Sequence, residues 1–456
     1  MLYLRIFVLK QGKPIGYLEE KTFNRVCFRY LKNIKPLLYI PGLEEKINYC
    51  DTGLFLVFKN MFPENNQIEI LKTQHSIGSN IELLLYLEDI HGSYTFLNEE
   101  EYEKYIEPAS NIYHYSKVLN SVLENHYTFP NILEHTLNID PKKLHPENIV
   151  NNKVIGLSGF QYKFSIIKDD DKKSLFIDEE KTSEYFMKPY SKYSTTYTPN
   201  DKERHYIPYL LINEHLFMTI ARDLGFPVPY NAIIKDGEDY HYIIKRFDRY
   251  KDEKFDHEEF ATLLGYDSDT KYDATLIEVL EKASEYISKD DLRQLLLFFF
   301  FSTIISHGDL HSKNISLIHA SNSIEEQTKY LAPYYDISTT FIYRGLKQKD
   351  VGLKILNKKS KIKKNDFLKI AKKFDIDEIK FENDMKKIVE FFLNKFHNYI
   401  HLLPSDIQDL PFYSGHYYTR KPLKSILEKY YIERKKYIKK YIDATWVEEK
   451  YGSIFD

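Results

Sequence analysis

One stretch constrains this chain more than any other: the almost wholly apolar run from Leu295 to Ile305, which ends directly on Ser306-His307-Gly308-Asp309-Leu310-His311-Ser312-Lys313-Asn314. The run is too short to cross a bilayer, which takes about 20 residues. Wound as a helix it is hydrophobic on every side, so it belongs inside a protein core. A polar loop leaving a buried element is a typical place for reactive groups.

The residues of that loop suit phosphoryl transfer. The reaction needs a carboxylate to orient the attacking hydroxyl and take its proton, and hard oxygen ligands for Mg2+. Asp309 and Asn314 have the Asp-x4-Asn spacing of a kinase catalytic loop, with His307 two residues before the Asp. A second metal carboxylate is expected shortly after, at the end of a strand returning to the site. Leu331-Ala332-Pro333-Tyr334-Tyr335-Asp336 supplies it. Taken singly, Asp309 and Asp336 read equally well as loop carboxylates capping helices; as an ordered pair they point to a kinase.

An ion pair is expected nearby. On a helix from about Pro208 to Leu224, closed by Gly225 and Pro227, Glu214 shares the apolar stripe of Leu210, Phe217 and Ala221. A carboxylate there is costly unless a cation meets it. Lys188, at the end of the strand Tyr185-Phe186-Met187-Lys188, is the natural partner, and kinases hold ATP phosphates with such a pair. The alternative leaves Glu214 solvated at the edge of the stripe. Upstream, Gly156-Leu157-Ser158-Gly159-Phe160-Gln161-Tyr162-Lys163 is placed to cover phosphates with its backbone amides, although it matches neither a GxGxxG pattern nor a Walker A loop.

The 456 residues allow two or three domains, and 43% hydrophobic with 29% charged residues is ordinary for a globular protein. A formal net charge of −3 argues against a general polyanion-binding surface. The basic stretches at Lys358 to Lys364 and Arg434 to Lys440 read as a solvated loop and a solvated helix face. Cys27 and Cys50, the only cysteines, fit a reducing compartment and no structural metal. The first residues alternate like a strand and lack a signal peptide's features, so a cytoplasmic protein without a membrane segment is expected.

The organisation expected is α+β. Residues 1–108 read as a small α/β module, with a hairpin over Leu4 to Leu18, helical patches at Leu54 to Phe58 and Ile81 to Leu87, and a closing strand at Gly92 to Leu97. Residues 109–150 read as a connector with one short helix. Residues 151–249 are strand-rich with the Glu214 helix, and 250–456 are mainly helical, with short strands near 315 and 332.

These motifs, in this order, resemble the HipA family of bacterial serine/threonine kinases. The Ser158 segment resembles that family's SxSGxQxK loop, and Arg246-Phe247-Asp248-Arg249 is similar to its RFDR hinge. Asp309 to Asn314 and Ala332 to Asp336 resemble its catalytic and metal-binding segments. The resemblance implies a two-lobed protein-kinase-like fold with a small N-terminal module and a helical C-terminal lobe. It implies Asp309 as the catalytic residue and Asn314 and Asp336 as Mg2+ ligands. ATP contacts are implied at Ser158, Gly159, Gln161, Lys163, Lys188, Glu214, Lys245, Phe247 and His311, with Ser158 as a site of autophosphorylation. It further implies a toxin that phosphorylates a cytosolic protein such as an aminoacyl-tRNA synthetase, partnered by a helix-turn-helix antitoxin of HipB type through which alone it reaches DNA. Two positions depart from the family: Gly156 replaces the first Ser of the loop motif, and Lys245 stands where Glu usually precedes the hinge.

Two other readings stay open. His307-Gly308-Asp309-Leu310-His311 also resembles the loop of aminoglycoside and choline kinases, which act on small molecules. A kinase scaffold that only binds a partner needs none of Lys188, Glu214, Asp309, Asn314 and Asp336, all of which are present.

Overall fold

The computed structural model of the protein describes residues 4–447 except 23, 36–37, 63–65, 109–112, 114, 124–126, 141–153, 156–162, 179–182, 191–206, 238, 252, 322–326, 344–345, 347–348 and 415–418. Strands β1 (Arg5–Lys10) and β2 (Lys13–Thr22) turn on Gln11 and Gly12, both at positive φ. Such a left-handed pair matches the twist of a two-residue hairpin. With β3 (Arg25–Tyr30), β4 (Asn48–Thr52) and β5 (Tyr94–Leu97) they form a sheet of order β4-β3-β2-β1-β5, the hairpin and closing strand that the sequence pattern predicts. Cys27 and Cys50 stand directly opposite each other on β3 and β4 and are joined in a disulfide. The expectation of a reducing compartment did not foresee this pairing, because only the register of the two strands brings the cysteines together.

A second sheet of six strands takes β6 (Thr136–Asn138), β7 (Phe164–Asp169), β8 (Ser174–Phe176), β9 (Tyr185–Lys188), β10 (Asn231–Asp236) and β11 (Asp239–Lys245) in the order β10-β11-β9-β7-β8-β6. Part of the segment expected to be a connector thus enters the sheet: β6 pairs in parallel with β8, and Ile132 bridges Ile233. Both faces of this sheet are covered. Phe164, Ile166, Met187, Ile234 and Ile243 join the core of the N-terminal sheet, whereas Ile233, Tyr242 and Ile244 join the core of the helical half. Alternation along a strand therefore assigns each side chain to one core or the other.

On the second face lies helix α1 (Leu210–Asp223), in which every residue from Leu211 to Ala221 is buried, Glu214 included. The sequence predicts a single apolar stripe; the helix is covered all round because sheet and helical half enclose it. Gly225, at φ 89°, follows its end as predicted. The helical half contains α2 (Leu276–Ser284), α3 (Lys289–Ile305), α4 (Lys364–Lys373), α5 (Glu378–Leu402) and α6 (Leu423–Tyr437). No helix among the described residues is long and apolar enough to cross a membrane.

Helix α3 carries the run that opened the sequence argument, and Leu295 to Ile305 are all buried. Ser288 caps its start, accepting from the Asp291 amide, with Asp290 and Asp291 in the first turn. A buried C-terminus leaves carbonyls that need partners. Arg434 Nη2 and Nε donate to Thr303 O and Ile304 O at 2.6 and 2.7 Å, and Tyr430 donates to Ile305 O at 2.8 Å. Arg434, 1% exposed, also pairs with Asp350. The reading of Arg434 to Lys440 as a solvated face therefore fails at its first residue, which is an interior cap for α3. A three-stranded sheet, β12 (Asp256–Glu259), β13 (Ser316–Ser321) and β14 (Gln327–Leu331), then brings the chain back towards the loop that leaves α3; β12 carries too many charges to be legible as a strand.

Candidate active site

The loop after α3 leaves through Ser306, whose φ of 59° ends the helix in a left-handed turn. A non-glycine residue held there costs energy that surrounding contacts must offset. Here Thr340 does so: its amide and hydroxyl both donate to Ser306 O, and the same hydroxyl accepts from the Gly308 amide at 3.1 Å. A second clamp comes from Gly352, whose amide donates to His307 O at 3.2 Å. A Cβ at Gly352 would sit 2.1 Å from Leu310 O, a backbone atom that cannot rotate away. Gly352→Ala is therefore expected to displace the loop and cost about 1–3 kcal/mol, the range for overpacking, which a urea midpoint would register; a wild-type midpoint would show that the close approach does not constrain the loop.

The expected ion pair is present. Lys188 Nζ lies 2.7 and 2.8 Å from the two oxygens of Glu214, and both residues are 2% exposed. The same ammonium reaches Asp336 Oδ1 at 2.6 Å, with the Tyr242 ring 5.5 Å away. Burial works against the Lys188 ammonium, yet Asp336 and Glu214 hold it up at about 12. Burial pushes the Glu214 carboxyl up to about 7 against the pull of Lys188. For Asp336, burial is outweighed by Lys188 and then Lys163, which hold the carboxyl well below its usual range.

From Asp336 the contacts continue into the catalytic-loop motif. Asn314 Nδ2 donates to Asp336 Oδ2 at 3.1 Å, while Asn314 Oδ1 accepts from the His311 amide at 3.0 Å. The His311 ring meets the Tyr272 ring edge-on at 5.1 Å, and the Tyr272 hydroxyl donates to Asp309 Oδ1. Asp309 is exposed, the solvent-facing end of a chain of contacts whose other members are buried or half-buried. Burial and then Lys271 drive His311 well below the ordinary histidine value, and burial lowers His307 to about 4, so both rings are neutral at pH 7. Asp336 itself sits at φ 60°, a second left-handed residue at the site.

Of the remaining sequence-predicted residues, Lys163 is near enough for its charge to act on both Glu214 and Asp336, and its ammonium lies 5.7 Å from the Phe186 ring centroid. Ser158, Gly159 and Gln161 lie outside the described residues. Phe247 is buried with its ring 5.4 Å from that of Tyr335, the neighbour of Asp336. Lys245 is not brought here. It pairs with Tyr185, out of step with Lys188 and Tyr242, so it projects from the opposite face of the sheet to meet Ser121 at 3.0 Å and Glu184 at 3.5 Å. Sequence reasoning missed Tyr272, Thr340 and Gly352; nothing in the local pattern around them marks a function.

Among the described residues, no three His, Cys, Asp or Glu side chains gather as a metal cage. The donor set that is present, the Asp336 carboxylate beside the Asn314 amide, fits Mg2+, which is usually held by one or two protein oxygens with substrate phosphates completing its shell.

Comparison with known proteins agrees with this architecture. Across residues 155–398, more than half of the chain, the sequence matches the family model for the HipA-like C-terminal domain. A Haemophilus influenzae protein named "Putative kinase" is 27% identical over 206 residues, 41% of this chain and 54% of that protein. The Sinorhizobium fredii protein "Putative kinase Y4dM" is 28% identical over 251 residues, 52% of this chain and 58% of that one. The chain thus aligns with little more than half the length of these relatives. HipA of Shewanella oneidensis MR-1, solved with HipB and operator DNA, superposes with a TM-score of 0.64 over 96% of this chain and 97% of its own, at 16% identity. That likeness concerns the fold, an α+β architecture of the two-lobed HipA type. With its order of motifs, its architecture and more than half of its length matched by the family model, the chain belongs to the HipA-like family.

Proposed function

We propose that the protein is an ATP- and Mg2+-dependent kinase that phosphorylates serine or threonine in a protein substrate. The observation that carries this reading is the unbroken set of contacts Glu214–Lys188–Asp336–Asn314, ending beside the exposed carboxylate of Asp309. Lys188, fixed by Glu214, would hold nucleotide phosphates, with Lys163 adding charge and Ser158, Gly159 and Gln161 of the same sequence motif as further nucleotide contacts. Phe247 and His311 would form parts of the nucleotide pocket. Asp336 and Asn314 would hold Mg2+, which neutralises phosphate charge when bound; for that the Asn314 amide must turn its oxygen towards Asp336, releasing the His311 amide. Asp309 would accept the proton of the acceptor hydroxyl as its oxygen bonds the γ-phosphorus and the bond to ADP breaks. The Lys245 side chain, on the far face of the sheet, has no part in this scheme.

By kinship with HipA, the reading extends to a toxin that blocks translation by modifying a protein such as an aminoacyl-tRNA synthetase, with a HipB-type antitoxin as partner. Ser158, the one hydroxyl left in its loop motif, is the residue proposed for autophosphorylation, which would add roughly −1.5 to −2 charge beside the nucleotide. Incubation with labelled ATP, Mg2+ and a cell lysate is expected to label a discrete protein on serine or threonine, and Asp309→Asn to abolish the label. Label confined to small molecules would assign the protein to the small-molecule phosphotransferases instead, and no label at all would point to a binding module.

The Lys188–Glu214 pair offers a sharper test. Lys188→Met and Glu214→Gln are each expected to lower turnover at least tenfold, whereas the double variant should fall short of the combined loss by about 1–3 kcal/mol of coupling. Strict additivity would mean that the two side chains act separately.

A further inference from the structure

The side of the site around Tyr272 and Asp309 carries charge that the proposed reaction scheme does not use. Tyr272 marks this side, because its hydroxyl already donates to the Asp309 oxygen that an acceptor hydroxyl would have to reach. Around the Tyr272 ring stand three ammonium groups, those of Lys349, Lys359 and Lys271, at 5.4, 5.6 and 5.6 Å from its centroid. Lys359 Nζ donates to Tyr272 O at 2.9 Å, and Lys354 lies close enough for its charge to act on Lys359. Lys271 is buried, Lys359 and Lys354 are half-buried, and Lys349 is exposed.

Among the described residues, Lys349, Lys354 and Lys359 form no ion pair, although the field of Asp273 reaches Lys359 and that of Lys354 reaches Glu278. Neighbouring lysines behave differently: Lys358 pairs with Asp366, and Lys364 with Glu382 and Asp443. Cations without a direct salt bridge repel one another, so gathering them beside an exposed catalytic-loop carboxylate is costly unless something anionic binds there. The chain as a whole is weakly acidic, at a net charge of −3, so this positive rim is a local feature.

We propose that the rim of Tyr272, Lys349, Lys354 and Lys359 binds the acceptor segment of the protein substrate, and that this segment carries acidic side chains next to its serine or threonine. The inference rests on the kinase reading for its purpose, but its test does not depend on turnover. Fluorescently labelled peptides of one sequence, each with a single serine flanked by Glu, Ala or Lys, are titrated with the full chain and followed by anisotropy. The Glu peptide is expected to bind about tenfold more tightly than the Ala peptide, the size that two or three screened surface pairs supply. The difference should shrink as salt is raised. Lys349→Glu combined with Lys359→Glu should reverse the order in favour of the Lys peptide, with an unchanged near-ultraviolet circular dichroism spectrum showing that the fold persists. Equal affinities for the Glu and Lys peptides would overturn the proposal, as would a preference that survives charge reversal. A labelled tRNA that outcompetes the Glu peptide would overturn it in favour of a nucleic-acid ligand. Failure of the kinase reading would be visible separately, as an absence of label transferred from ATP.

Discussion

Replacing either Asp309 or Asp336 by asparagine is expected to lower phosphoryl transfer by about 10³-fold or more while leaving the protein folded. For Asp309 the loss is that of a proton acceptor, a contribution typically of 10²–10⁴. Its side chain is exposed and bonds a tyrosine hydroxyl, so an amide in its place disturbs little packing. For Asp336 the loss is that of a hard anionic ligand for Mg2+, which an amide replaces poorly. Lys188 keeps Glu214 as its counter-ion in that variant, so no buried charge is left alone. The two failures should differ in kind. Asp309→Asn should still bind nucleotide with Mg2+ as the wild type does, whereas Asp336→Asn should lose the Mg2+ dependence of that binding. Activity within tenfold of wild type in either variant would sink the assignment of roles.

How much of this was legible in the sequence depends on how local each signal is. The Lys188–Glu214 pair could be foreseen because a carboxylate on an apolar helix face demands a cation, and a strand end about 25 residues earlier was the natural place for one. The order Asp309, Asn314, Asp336 could be foreseen because the apolar run before it forces the loop to emerge from a core. The Tyr272–Asp309 contact could not: the two residues are separated by 37 positions, and Lys271-Tyr272-Asp273 looks like any polar turn. Lys245 was misjudged because its place beside the hinge motif outweighed strand alternation, which turns it away from Lys188. Arg434 was misjudged because a run of charges reads as a wet surface, whereas helix carbonyls buried at Thr303 and Ile304 require an interior donor that no sequence window displays. For Tyr272 and Arg434 the deciding partner is distant in sequence and fixed only by packing, whereas for Lys245 a local signal was available and was outweighed.

The hinge motif supports the last prediction, that Asp248→Asn destabilises the protein by about 3–5 kcal/mol, the cost of breaking a buried ion pair. Asp248 is 4% exposed and accepts from Arg246 Nε and Nη2 at 3.0 Å each, from Arg249 Nη1 at 2.9 Å, and from the Gly92 amide at 2.8 Å. Asp89 meets the same two guanidinium groups from the N-terminal module, and both arginines also donate to Ile90 O. Two buried arginines thus face two carboxylates, and an amide at position 248 leaves one positive charge uncompensated. Burial opposes the Asp248 anion, but Arg246 and then Arg249 hold its carboxyl far below the unfolded value of about 3.9. The stability it confers is therefore complete above that unfolded value and is lost as pH falls towards the folded one. Wild type should lose stability steeply below about pH 4, and Asp248→Asn should lose less over the same range because it has no proton to take up there. Urea midpoints measured from pH 3 to pH 7 decide the matter, and parallel acid limbs in the two proteins would refute this role for Asp248. Phe247 sits between Arg246 and Asp248 with its ring against Tyr335, one residue before Asp336. Loosening the network should therefore also raise the KM for ATP, since the segment that ties the N-terminal module to the catalytic half is the same one that holds Phe247 in place.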